Sequence, residues 1–182
     1  MSSRHFTRTA ILLHWLIALI IAVAFPVGLL MGDMPVSPLR IKVFVWHKWA
    51  GLTVLWLAMV RLGWRATHGA PALPESMPRW QMRASKAVQW AIYALLFAVP
   101  LSGWTFSSAA GYGVRYLNLI NLPNLVAKNK ELADQLKDLH ETLNWTLLAL
   151  VALHAAAALK HHFIDRDGVL LGMLRSRPGV RG

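Results

Sequence analysis

Apolar residues gather in four stretches of this chain, about Thr9–Met31, Ile41–Trp64, Ala84–Phe106 and Leu139–Leu159, with polar intervals between them. Each stretch holds about 20 residues, and at about 1.5 Å per residue a helix of that length crosses the roughly 30 Å hydrocarbon layer of a bilayer. Hydrocarbon offers backbone amides no water partners, so each stretch is expected to be helical. The expectation is an all-α integral membrane four-helix bundle, a single membrane domain over residues 1–182. Its spans fall at about 9–31, 41–64, 84–106 and 139–162, followed by a basic tail at 163–182. Arg4 and Arg8 precede the first stretch as they would in a signal peptide. The apolar run is too long for one and no small-x-small site follows, so this helix is expected to be retained.

The intervals give the topology. A short turn around Gly32–Pro38 lies on one side, and the polar segment Ala66–Met82, with Pro71, Pro74 and Pro78, lies on the other. The third stretch contains Pro100, which predicts a kink. In the longer interval Ser107–Lys137, Glu131, Asp134 and Lys137 recur at three-residue spacing. The segment Leu125–Lys137 is therefore expected as a short amphipathic helix on the membrane surface.

Composition supports the membrane reading: 56% of the 182 residues are hydrophobic and the mean hydropathy is +0.44, beyond an ordinary soluble domain. The net charge of +11 does not point to nucleic acid, because the basic residues flank spans and form no domain of their own. With both termini on one side, twelve Lys and Arg fall there, and seven fall opposite: Arg40, Lys42, Lys48, Arg115, Lys128, Lys130 and Lys137. The positive-inside rule then places both termini in the cytoplasm. Nine tryptophans, six of them near span ends (Trp15, Trp46, Trp49, Trp64, Trp80 and Trp104), read as an interfacial belt. Cysteine is absent, which excludes disulfides, iron–sulfur clusters and covalent c-type haem from this chain.

Four histidines lie inside the apolar stretches, where an imidazole is costly without a partner. His14 is near the cytoplasmic end of the first span, and His47 enters the second from the outer side. His140 and His154 share the fourth span, fourteen residues apart, which is just under four turns and about 21 Å along one face. Depth pairs His14 with His154 and His47 with His140. Two ligands per level fall short of a zinc site but suit two haem b groups, each held by two imidazoles. Full axial ligation favours electron transfer over oxygen binding. The competing reading of each histidine is a hydrogen-bonded buried imidazole. Gly51, Gly28 on the His14 side of the first helix, and Ala155–Ala158 would let helices approach a macrocycle, or simply pack. His161 shares the face of His154 and, with Asp165 nearby, is a candidate for a quinone contact; an ordinary interfacial histidine is the alternative. His5 and His68 fall in polar segments and are expected to be solvated.

Several segments resemble the prokaryotic cytochrome b-561 family. They are Leu13-His14-Trp15, His47-Lys48-x-x-Gly51 with Arg61-Leu62, Pro100-Leu101-Ser102-Gly103-Trp104, His140-Glu141-Thr142-Leu143, and Leu153-His154 followed by Ala155–Ala158 and His161-His162. The likeness is strongest to its small diheme superoxide oxidases. It departs at Gln89, where relatives often carry histidine. The resemblance implies a superoxide:ubiquinone oxidoreductase in a bacterial inner membrane, with superoxide donating at the periplasmic haem, ubiquinone as acceptor and no obligatory protein partner. Outer cations would steer the superoxide anion, and Lys48 and Lys137 rank first because they flank His47 and His140. Asp33, Glu131, Asp134, Asp138 and Glu141 share that side and offset most of its seven cations. The alternatives are a b-type anchor subunit serving a dehydrogenase or hydrogenase, and a haem-free helical membrane protein.

Overall fold

The structure, a computed structural model, describes residues 6–69, 71 and 77–174. Arg4, His5, Pro74, Glu75 and the tail beyond residue 174 lie outside them. Four long helices carry the apolar stretches: α1 (Arg8–Asp33), α2 (Pro38–His68), α3 (Arg79–Ala109) and α4 (Lys130–Lys160). All four are long and apolar enough to cross a membrane. Local chemistry sets most of their starts. Thr7, Ser37 and Asn129 accept the amides of Ala10, Arg40 and Leu132, and Pro38 opens α2. Each side-chain cap is worth about 1 kcal/mol.

The helices pack in chain order, α1 on α2, α2 on α3 and α3 on α4. A cluster of Ile17, Val54, Ala58, Tyr93 and Leu96 joins the first three. Across the bundle, α1 and α4 meet edge to edge at His14 and His154 and at Phe25 and Trp145. Large side chains cover the outside, among them Leu12, Leu19 and Leu30, each more than 60% exposed. That surface would be costly in water at about 25 cal/mol per Å² but suits lipid. The chain is a multi-pass membrane four-helix bundle.

Two local features differ from the sequence reading. Leu125–Lys137 is not a separate surface helix. Asn129 caps a helix that begins at Lys130 and runs unbroken to Lys160, so Glu131, Asp134 and Lys137 form the N-terminal end of α4. Nothing between those residues breaks a helix, and the polar and apolar parts fuse into one rod. The second difference is a small antiparallel hairpin, β1 (Val114–Tyr116) and β2 (Ile120–Leu122), in an otherwise helical chain. Its turn places Leu117 and Asn118 at φ 50 and 59, without the Asn-Gly signal such turns usually show. Val114 seats the hairpin against Leu52 and Leu55 of α2. Trp49 and Trp104 clamp it by donating to the Arg115 and Pro123 carbonyls at 2.8 and 3.2 Å.

At its C-terminal end, α4 continues as a π-helical turn (His161–Asp165), and the chain reverses into α5 (Val169–Leu174). Trp15 holds α5 by donating to the Met173 carbonyl at 2.7 Å. The belt tryptophans thus include side chains with specific partners, the N–H groups of Trp15, Trp49 and Trp104 each donating to a backbone carbonyl.

Candidate functional site

Helix periodicity builds the site as two levels. Fourteen residues return a helix to nearly the same face, and each long helix carries one such step. The steps are His14 to Gly28 on α1, His47 to Arg61 on α2, Gln89 to Gly103 on α3, and His140 to His154 on α4. Because neighbouring helices run in opposite directions, His47 and His140 share one level with Gly28 and Gly103. His14 and His154 share the other with Arg61 and Gln89. The first is named the outer level and the second the inner level, after the sides expected from the sequence.

The structure brings His14 to His154 with ring centres 6.2 Å apart, and His47 to His140 with centres 6.3 Å apart. In both pairs the rings stand nearly at right angles, at 76° and 87°. At the outer level His140 Nδ1 lies 3.0 Å from the Val99 carbonyl and 2.9 Å from Ser102 Oγ. A carbonyl only accepts, so Nδ1 carries the proton and Nε2 keeps its lone pair. His47 Nδ1 is buried with no hydrogen bond of full geometry and faces the backbone of Ala24. Glycines bring the neighbouring helices close. A Cβ on Gly103 would stand 2.9 Å from His140 Cε1, and one on Gly28 would stand 3.0 Å from His47 Cε1. Gly28 lies on the His14 face of α1, as expected, and fourteen residues along that face it stands against His47 of the other pair. Gly103 was missed as a site residue, although its fourteen-residue step from Gln89 was readable.

Residues 5–176 match the family model described as prokaryotic cytochrome b561. The chain belongs to that family. It is similar to cytochrome b561 homolog 1 of Escherichia coli (32% identity over 94% of this chain and 98% of the relative) and to homolog 2 of the same organism (34% over 88% and 86%). It also resembles the probable superoxide oxidase CybB of Yersinia pestis, at 29% identity over 92% of this chain and 94% of that protein.

A cytochrome b561 carries b-type haem, and both pairs fit it. Two iron–nitrogen bonds of about 2.0 Å, with about 1.1 Å from each nitrogen to its ring centre, set bis-imidazole ring centres about 6.2 Å apart. The Nδ1 bond of His140 fixes the tautomer and orientation a ligand needs. The outer glycines leave flat faces beside the rings, where any Cβ would intrude.

The other candidates separate. Lys48 places its ammonium 5.7 Å from the Tyr112 ring centre and lines a cavity of about 100 Å³ with Trp49, Arg115, Asn118 and the hairpin backbone. Arg115 joins it only because the hairpin folds back over α2. Lys137 pairs with Glu141 at 3.4 Å on the exposed surface, where its charge is largely compensated.

At the inner end His161 Nδ1 lies 2.6 Å from Asp167 Oδ2 and 3.2 Å from Asp165 Oδ2. Asp167, rather than the expected Asp165, is its nearer partner. These three side chains lie within metal-ligating reach of one another, but the Lys160 ammonium contacts both Asp165 oxygens, at 2.8 and 2.6 Å. Gln89 accepts from Arg65 at 3.3 Å and donates to Ser85 at 3.2 Å. His68 stacks on Trp64 with centres 3.8 Å apart.

Proposed function

We propose that this cytochrome b561 is a diheme superoxide:ubiquinone oxidoreductase of the bacterial inner membrane, with both termini cytoplasmic. The observation that carries the reading is the pair of bis-imidazole sites, with ring centres 6.2 and 6.3 Å apart at two depths of one bundle. In this reading His47 and His140 hold the periplasmic-side haem, and His14 and His154 hold the cytoplasmic-side haem. When bound, each haem would supply a one-electron couple held by its two histidines.

This chain's residues do the rest. Lys48, next in sequence to His47, and Arg115 both line a small cavity beside α2. A cavity that size suits a diatomic anion, and its charge would raise the encounter rate with superoxide. Each superoxide loses one electron and leaves as dioxygen. Two such electrons and two protons convert one ubiquinone to ubiquinol. For the acceptor, His161 stands seven residues inward of His154 with Nδ1 held by Asp167, which leaves Nε2 to meet a quinone carbonyl. No obligatory protein partner is required.

The test is a stopped-flow visible spectrum of the purified, oxidised protein mixed with superoxide. Rapid growth of a reduced b-type α-band, decaying when ubiquinone is added, is the expected result. A haem spectrum that superoxide fails to reduce would move the protein to the anchor-subunit reading, and the absence of any haem spectrum would overturn the histidine argument.

A further inference from the structure

The two levels differ in the charge built beside them. Arg61 stands on α2 fourteen residues after His47, and three helices fix its guanidinium. Nε donates to the Tyr93 hydroxyl of α3 at 3.0 Å, and Nη1 donates to the Ala10 carbonyl of α1 at 3.0 Å, one turn before His14. Tyr93 is itself buried in the core cluster. The Arg61 charge acts on both His14 and His154, and no ion pair to a carboxylate involves it among the described residues. At the outer level the charged neighbour of His140 is Glu141, an exposed carboxylate already paired with Lys137, so no comparably fixed charge stands there among the described residues. Lys48 turns instead to the Tyr112 ring and the cavity.

We infer that Arg61 is a positioning residue for electrons: its fixed charge between α1, α2 and α3 makes the His14–His154 site the preferred resting place of an electron shared by the two levels. The inference rests on the haem reading of the two pairs. Adding an electron lowers the charge held between two imidazoles by one. A cation locked nearby in a low-dielectric bundle favours that state, as the electrostatics around a haem set its potential. The outer site loses one electron and the inner site gains it, with no proton or other reactant. The bias points inward, toward the end of the bundle that carries His161.

A spectroelectrochemical titration of the purified holoprotein tests this. The wave that survives in His47→Ala identifies the inner site. Arg61→Met should lower only that wave, by about tenfold in the electron's partition, or about 59 mV for a one-electron couple. Arg61→Lys, which keeps the charge and loses the fork, should stay within about threefold of the parent. An Arg61→Met protein with both haems and an unmoved inner wave overturns the inference, as does one whose two waves move together. Should Arg61→Met fail to hold haem, Tyr93→Phe decides: freeing the guanidinium should lower the inner wave alone, by less than tenfold, and an unmoved wave overturns the inference. The titration uses neither superoxide nor quinone. A protein that passes it and still fails to oxidise superoxide retracts only the substrate, whereas a protein without haem retracts both readings.

Discussion

The outer level of the bundle is built for close approach and access, and the inner level for charge. At the outer level Gly28 and Gly103 press against the imidazoles of His47 and His140, and Val99 and Ser102 orient His140. At the inner level the two positions without histidine hold Arg61 and Gln89, Arg61 bonded to Tyr93 and Gln89 to Arg65 and Ser85. One fourteen-residue frame is thus used twice. Helix by helix, three of the four positions change, Gly28 against His14, His47 against Arg61 and Gly103 against Gln89. In the proposed reading that makes one end a place where a donor can approach and the other a place where an electron is stabilised.

The sharpest break in this comparison is removal of a single outer imidazole. In the proposed diheme protein, His47→Ala or His140→Ala should lose the outer haem and keep most of the inner one, so the pyridine-haemochrome content per chain falls by about half. Equal loss of both haems would contradict the separation into levels. Gly103→Ala should come next. Its Cβ would stand 2.9 Å from His140 Cε1, an overpacking worth about 1–3 kcal/mol, so outer haem occupancy should fall while the inner band stays. An unchanged spectrum would mean that His140 can retreat freely. The smallest effect should separate the two steering candidates. Lys48→Glu should slow reduction by superoxide roughly tenfold and flatten its ionic-strength dependence. Lys137→Glu should change the rate less than twofold, because Glu141 already offsets that lysine. Equal effects in stopped flow would remove the cavity from the argument.

The histidine pairs were legible in the sequence because two strong rules fix them: helix period sets the face, and alternation across the membrane sets the depth. The distinction between Lys48 and Lys137 was not legible, since both simply follow or precede a histidine in the chain. It depends on a hairpin whose turn residues, Leu117 and Asn118, carry no conventional turn signal. Arg115 likewise gains its place from tertiary folding alone. The continuous α4 was misread because the polarity change near Leu139 looked like a boundary, whereas polarity tells where a helix leaves lipid and not where it ends. Asp167 was overlooked in favour of Asp165, since the chain reverses through Arg166 at φ 53 and carries the later carboxylate back to His161.

Because α4 runs without interruption from Lys130 to Lys160, it contributes one histidine to each pair and works as a ruler. A single residue inserted between His140 and His154 would swing one imidazole about 100° around the axis relative to the other. At most one of the two pairs could then keep its alignment. Seven inserted residues would restore the face but displace one level by about 10.5 Å along the axis. The spacing between His140 and His154 is therefore held by two pairs at once, and no change of length there leaves both aligned.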